Sequence, residues 1–310
     1  RKDTTTTVTE SGVTSTWGGR SVGGNSTHEN VVTIASGTHT NIYGGWTAGS
    51  GTTAADKGAS YKNKVKINGS ANVAGTVYGG FTSVAGGKAT INEVTIEKNL
   101  TANIVGGKSA TGEASGNIVN LANAAVNSVT GGEGATTNNN TINLNGNAQI
   151  AGTLTGGSQA NGTGNTLNVK GKDNKAGTIS NVQNMNFDAT GAPADAALLR
   201  TTGATDVNWE TLTVKNASAS EKPLTLLENA NGINISGRTG DAARSELNAD
   251  ATTETNIDVR QSGSKVTAIT YEGYTFKGAT KATTYGVDTW AGRSKAGNTT
   301  QDNTLTLDDA

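Results

Sequence analysis

The sequence predicts an all-β chain, wound as a right-handed parallel β-helix and closed by a β-rich C-terminal capping region; three observations carry this. The first is composition. The 310 residues include 43 Gly, 51 Thr and 35 Asn, all poor helix formers. Disorder would favour high net charge and abundant proline, whereas 24 basic residues face 25 acidic ones and there are two prolines. The second is a hydrophobic- or Thr-led Gly-Gly pair recurring at Gly18, Gly44, Gly79, Gly106, Gly131 and Gly156, the kind of internal period that marks a solenoid. The third is an Asn-x-aliphatic-x-aliphatic signature between the pairs, starting at Asn30, Asn63, Asn92, Asn117, Asn140 and Asn165. Each of the first five Asn residues lies 14 or 16 residues before the next glycine pair. An even offset keeps the same residues facing the same way along a strand of period two.

Aligned units give three aliphatic columns. Val32, Val65, Val94, Val119, Ile142 and Leu167 lie two residues after the Asn; Ile34, Ile67, Ile96, Leu121, Leu144 and Val169 lie four after it. Ile42, Val77, Ile104, Val129 and Leu154 precede the glycine pair by two, with Ile179 in a seventh unit that has lost its glycines. Thr, Lys, Glu and Asn alternate with these aliphatics, as on a half-buried strand. No single unit buries a core this narrow, so neighbours must stack. Residues 1–190 are therefore expected to form about seven coils of roughly 25 residues, with coils ~4.8 Å apart and the usual right-handed crossover. The glycine pairs are expected at corners needing positive φ, and the Asn column is placed where an amide ladder can form between coils. The span from Thr47 to Lys62 is expected to be a surface loop.

Beyond residue 190 the units end. Pro193 interrupts the pattern, and short strands follow at ETLTV (Glu210), LTLL (Leu224), INI (Ile233), NIDV (Asn256) and KVTAITYEGYTF (Lys265), the last two flanking a turn at Ser262-Gly263. Residues 191–310 thus read as a closing region, since a solenoid needs an atypical end. Its tail, NTLTL from Asn303, repeats the strand signature; Asn303, Leu305 and Leu307 are expected to add a strand to an open edge, on this chain or a neighbouring one.

These units, with Tyr-Gly-Gly corners at Tyr43 and Tyr78 and the C-terminal LTLLENANGI, resemble the passenger region of bacterial autotransporters, which are type V secreted surface proteins. The resemblance implies a right-handed β-helix on the bacterial cell surface or secreted from it. It also implies an adhesin function, with a host glycan, a host surface protein or copies of the chain itself as partner. The family's outer-membrane barrel has no counterpart in this stretch. The chain begins Arg1-Lys2-Asp3, as expected of a mature or excised piece.

Other classes find little support. A net charge of −1 gives no footprint for nucleic acid or anionic membrane, and no apolar run is long enough for a transmembrane helix. Without cysteine there are no disulfides, thiolate zinc sites or cysteine nucleophiles. The nearest match to a calcium-binding nonapeptide repeat, GGEGAT at Gly131, lacks its Asp. Glu93 and Glu97, four apart on one strand, would be ~13 Å apart, too far for a glycosidase pair. The glycine pairs open onto strands and not helices, so they are not phosphate loops. No catalytic residue, metal site or cofactor is expected; His28 and His39 are expected at the surface, and Lys62, Lys64 and Lys66 on a solvated strand face.

One feature rises above this background. The position before the glycine pair is Trp17, Tyr43 and Tyr78 in the first three units, and the position after it is Arg20, Trp46 and Phe81. In a chain so poor in aromatics, Trp17, Tyr43, Trp46, Tyr78 and Phe81 form the candidate binding surface. The competing reading is structural: stacked rings that seal the solenoid end or hold the 47–62 insertion.

Overall fold

A computed structural model describes residues 5–9, 12–49, 58–193, 195–217, 223–236, 244–247, 255–262 and 264–272. The expected fold is present: about eight parallel coils are stacked into a β-solenoid. Among the described residues the only helical turn is Trp209–Thr211.

The Asn-x-aliphatic-x-aliphatic segments form one wall, a nine-stranded parallel sheet running from Thr5–Val8 through Val31–Ile34, Lys64–Ile67, Glu93–Ile96 and Ile118–Ala122 to Leu212–Lys215. Register is exact to the residue: Ile34 pairs with Ile67, Ile67 with Ile96, Ile96 with Leu121 and Leu121 with Leu144. The glycine-pair segments form a second wall, with Ile42, Val77, Ile104, Val129, Leu154 and Ile179 in one file. A third wall adds Val126 beside Ile150. All three expected aliphatic columns are buried from water, and each coil supplies the cover for the apolar face of the next.

The Asn column forms the expected ladder inside the corner. Each side-chain amide donates to the carbonyl oxygen of the next: Asn30 to Asn63 at 2.7 Å, Asn63 to Asn92 at 3.0 Å, Asn92 to Asn117 at 3.0 Å, Asn117 to Asn140 at 3.1 Å and Asn140 to Asn165 at 3.1 Å. The same oxygens also accept the backbone N–H one coil back, for example Asn92 from Asn63 at 3.0 Å. All six Asn side chains are fully buried, so the ladder satisfies donors and acceptors that would otherwise be stranded in the interior.

The glycine pairs have a different cause from the one expected. None of them has positive φ; the first five pairs lie in strands, Gly156-Gly157 follow the strand Thr153–Thr155, and all are needed for close approach. A Cβ on Gly80 would stand 2.4 Å from Nδ2 of Asn92, and one on Gly79 would stand 2.3 Å from the carbonyl oxygen of Gly106. The two signatures are therefore one device, in which the Asn ladder occupies the volume that the second glycine leaves open. Positive φ falls instead on the residue before each Asn: Glu29, Lys62, Ile91, Gly116, Asn139 and Gly164.

Three further expectations change. The end of the insertion is not a surface loop, because Ser60–Tyr61 is a strand between Thr27–His28 and Ala89–Thr90 and Ser60 is fully buried. Its hydroxyl donates to the Gly45 carbonyl at 3.0 Å. His39 is buried rather than at the surface. Its alternation slips relative to Ile34, which places it in an inward file with Val73. Finally, parallel pairing does not stop at residue 190 but runs on into Leu212–Lys215 and Leu224–Glu228. An antiparallel end then follows: Leu224–Glu228 pairs with Lys265–Glu272, which forms the expected hairpin with Thr255–Ser262.

Candidate functional site

The five aromatic residues come together on the outside of the second wall. The local reason is a double inward step at the glycine pair. Burial across Tyr43-Gly44-Gly45-Trp46 runs partly exposed, buried, buried, partly exposed, and it does the same across Tyr78-Gly79-Gly80-Phe81. In a regular strand, residues three apart face opposite sides. The extra inward residue returns both flanking aromatics to the outer surface, and in-register stacking places Trp17, Tyr43 and Tyr78 in one file and Arg20, Trp46 and Phe81 in the other.

The first file is a stack. Trp17 and Tyr43 are 6.4 Å apart between centroids at 15°, and Tyr43 and Tyr78 are 5.1 Å apart at 11°. Phe81 closes on it edge-first, 5.7 Å from Tyr43 and 5.4 Å from Tyr78. Such pairs add ~0.5–1.5 kcal/mol each beyond burial. Burial, and then the neighbouring Tyr78 phenol, raise the Tyr43 pKa above the ordinary tyrosine value, so its hydroxyl stays neutral at physiological pH. The faces of Tyr43 are taken by Trp17 and Tyr78, while Trp17, the last ring of the stack, remains 37% exposed. A pyranose ring, which stacks on an open aromatic face, finds none at the centre of this strip.

The Arg20 guanidinium carbon lies 5.0 Å from the Trp17 ring centroid and 5.0 Å from that of Trp46. Both contacts fall within cation–π range.

Other candidates resolve into structure. Lys62, Lys64 and Lys66 lie on the solvated face with Glu29 at 4.0 Å, Glu93 at 3.0 Å and Glu97 at 2.9 Å. His39 accepts from or donates to Thr16 Oγ1 at 3.1 Å through Nδ1, and its Nε2 is 3.1 Å from the Ser36 carbonyl oxygen. His28 stacks on Tyr61 at 5.0 Å. Among the described residues, no three His, Asp or Glu side chains gather where a metal could be held. Asn303, Leu305 and Leu307 lie outside the described residues.

Sequence reasoning did not anticipate a second, external ladder. Asn143 donates to Asn120 at 2.7 Å, Asn168 to Asn143 at 2.7 Å, Asn186 to Asn168 at 2.8 Å and Thr213 to Asn186 at 2.6 Å. The signal was present, because the position between the two aliphatics of the signature reads Asn in successive units, at Asn120, Asn143 and Asn168. This file borders a shallow groove beside Lys170, Asp188 and Lys215. In that groove Asp188 is partly shielded, which raises its pKa, but hydrogen bonds from Thr190 and Asn216 and the charge of Lys170 outweigh this and lower it to about 2.

Compared with protein-family models, curated proteins and solved structures, the chain matches none. No described helix is long and apolar enough to cross a membrane, a statement that leaves strands aside.

Proposed function

We propose that this β-solenoid is a non-enzymatic adhesive module of the autotransporter-passenger type, displayed on or secreted from a bacterial cell, which attaches non-covalently to a partner macromolecule through the aromatic strip. The observation that carries this reading is the contrast between the strip and the rest of the outer surface. Much of the latter satisfies itself, through Lys–Glu pairs between coils and the external amide ladder, whereas the strip gathers rings and an arginine at one corner. Attachment by such a surface combines a small apolar contact with many weak polar ones along a rigid rod, and many copies on one cell add avidity. With both faces of the central Tyr43 engaged and Arg20 lying over the two indoles, the strip suits a protein surface better than a flat sugar ring.

The test is attachment of purified protein to cultured epithelial cells, comparing the natural chain with the double variant Trp46→Ala and Phe81→Ala. Attachment should fall severalfold while the far-UV circular dichroism spectrum is retained; undiminished attachment by a folded variant overturns the reading.

A second reading is a structural fibre assembled end to end. Thr5–Val8 and Val13–Ser21 are the last strands of their sheets, each with a described partner on one side, and such edges template further pairing. Particle images over a concentration series, with and without residues 299–310, distinguish the two: a fibre shortens to monomers on deletion, and an adhesin stays a single rod throughout.

A further inference from the structure

We infer that the aromatic corner is an anion-recognition site for an acidic peptide segment of a protein partner, and that Arg20 is the group that reads the carboxylate. This rests on the strip being a binding surface and names the chemistry it selects.

Arg20 is exposed, and its guanidinium lies over both Trp17 and Trp46. Two indole contacts hold the side chain in a narrow set of rotamers, so little rotamer entropy remains to be lost on binding. The planar group can keep its N–H edge for a ligand while its face rests on the rings, and that edge matches a carboxylate in the two-pronged arrangement peculiar to arginine. No carboxylate among the described residues lies within ion-pair distance of it, in contrast to nearby cations. Lys62 has Glu29, Lys64 has Glu93, Lys66 has Glu97 and Lys88 has Glu113. Three coils further along the file of Arg20, Lys108 is held by Glu133. Among the described residues the corner therefore presents a positive charge with no carboxylate beside it, in an apolar setting, with Trp17 at 37% and Val22 at 62% among the exposed large hydrophobic residues. Charge complementarity calls for an anion, and the apolar surround calls for hydrophobic groups attached to it. Because both faces of the central Tyr43 are covered by its neighbours and Arg20 lies over the two indoles, a peptide that places apolar side chains beside Asp or Glu fits better than an acidic polysaccharide.

The experiment measures fluorescence anisotropy of two labelled synthetic peptides of equal length, one alternating Glu and Leu and one alternating Gln and Leu, against the full chain. The Glu–Leu peptide should bind on the order of tenfold more tightly, the scale of one charge-assisted contact, and its advantage should shrink as salt is raised. Arg20→Gln should erase the difference. Arg20→Lys should keep only part of it, since an ammonium cannot fork onto a carboxylate or stack between indoles. Equal binding of the two peptides by the natural chain, or an undiminished difference in Arg20→Gln, overturns the inference. Preferential binding of polygalacturonate also overturns it, in favour of a glycan. If Trp46→Ala with Phe81→Ala abolishes binding of both peptides while Arg20→Gln changes nothing, the strip stands and the acidic specificity falls. Arg20 is outside the core, so unchanged thermal melting of its variants confirms that fold and binding are being read separately.

Discussion

Replacing Asn92 by Ala probes the ladder at its middle. The Asn92 amide donates to the Asn117 oxygen at 3.0 Å and to the Ser60 carbonyl at 3.0 Å, while its oxygen accepts from both the backbone N–H and the side-chain amide of Asn63 at 3.0 Å. Truncation removes all four bonds inside a fully buried corner. The side-chain amide of Asn63 still reaches Thr27 and Ser60, and the Asn117 oxygen still receives the backbone N–H of residue 92. Two backbone groups are left without these partners: the N–H of Asn63 and the carbonyl of Ser60. At ~1–3 kcal/mol for each stranded group, the cost is about 4 kcal/mol before the cavity beside Gly80 is counted. The assay is urea unfolding followed by circular dichroism, with Asn99→Ala as control; the Asn99 side chain makes one exposed bond, accepting from Ala125 N at 2.9 Å, and its loss should cost under ~1 kcal/mol. If the two variants unfold at the same urea concentration, the ladder does not hold the coils together and the reasoning fails.

The remaining predictions concern glycine, backbone strain and pH. Gly79→Ala should cost more than ~3 kcal/mol or prevent folding, because its Cβ meets backbone at 2.3 Å, whereas Gly86→Ala, with nothing within 4 Å and φ +68°, should cost only the ~1–2 kcal/mol of a left-handed alanine; thermal melts of both variants check this. Ile91 is β-branched, 57% exposed and held at φ 56°, so Ile91→Asn should raise stability by about 1 kcal/mol, and a lowered melting temperature would contradict the strain argument. Asp188 has a depressed folded pKa of about 2, so its contribution is fully present above the unfolded value near 3.9 and is lost as pH falls towards 2. The contribution is about 2 kcal/mol, so Asp188→Asn should be less stable than the natural chain at pH 5, and the gap should close by pH 2 in a denaturation series.

The repeat was legible because stacking in register imposes column identity, and Val32, Ile34 and Ile42 with their successors carry it in plain sequence. The role of the glycines was not, because their constraint comes from atoms far along the chain: Gly80 is confined by Asn92, and Gly79 by Gly106. The seventh rung was hidden by a substitution. The Asn165 N–H bonds to the Gln183 side-chain oxygen at 3.0 Å, so Gln caps the ladder where the signature seeks Asn. The burial of His39 was invisible because two outward residues in succession, Thr40 and Asn41, shift the alternation between it and Ile42. At the candidate site the aromatic files were readable from the glycine alignment. Their stacked geometry and the placement of Arg20 between indoles depend on side-chain directions that the double inward step sets and no spacing rule supplies.

In-register stacking of neighbouring coils is tested most directly by disulfide trapping, since the chain has no cysteine of its own. Thr130, Thr155 and Ser180 occupy one outer file in three successive coils, and adjacent members stand at the ~4.8 Å strand spacing that a disulfide spans. Under mild oxidation Thr130→Cys with Thr155→Cys should close an intramolecular disulfide in the folded protein, and Thr130→Cys with Ser180→Cys, two coils apart, should remain reduced. Closure of the second pair but not the first, read by mass spectrometry of the digested monomer, contradicts the stacked coil.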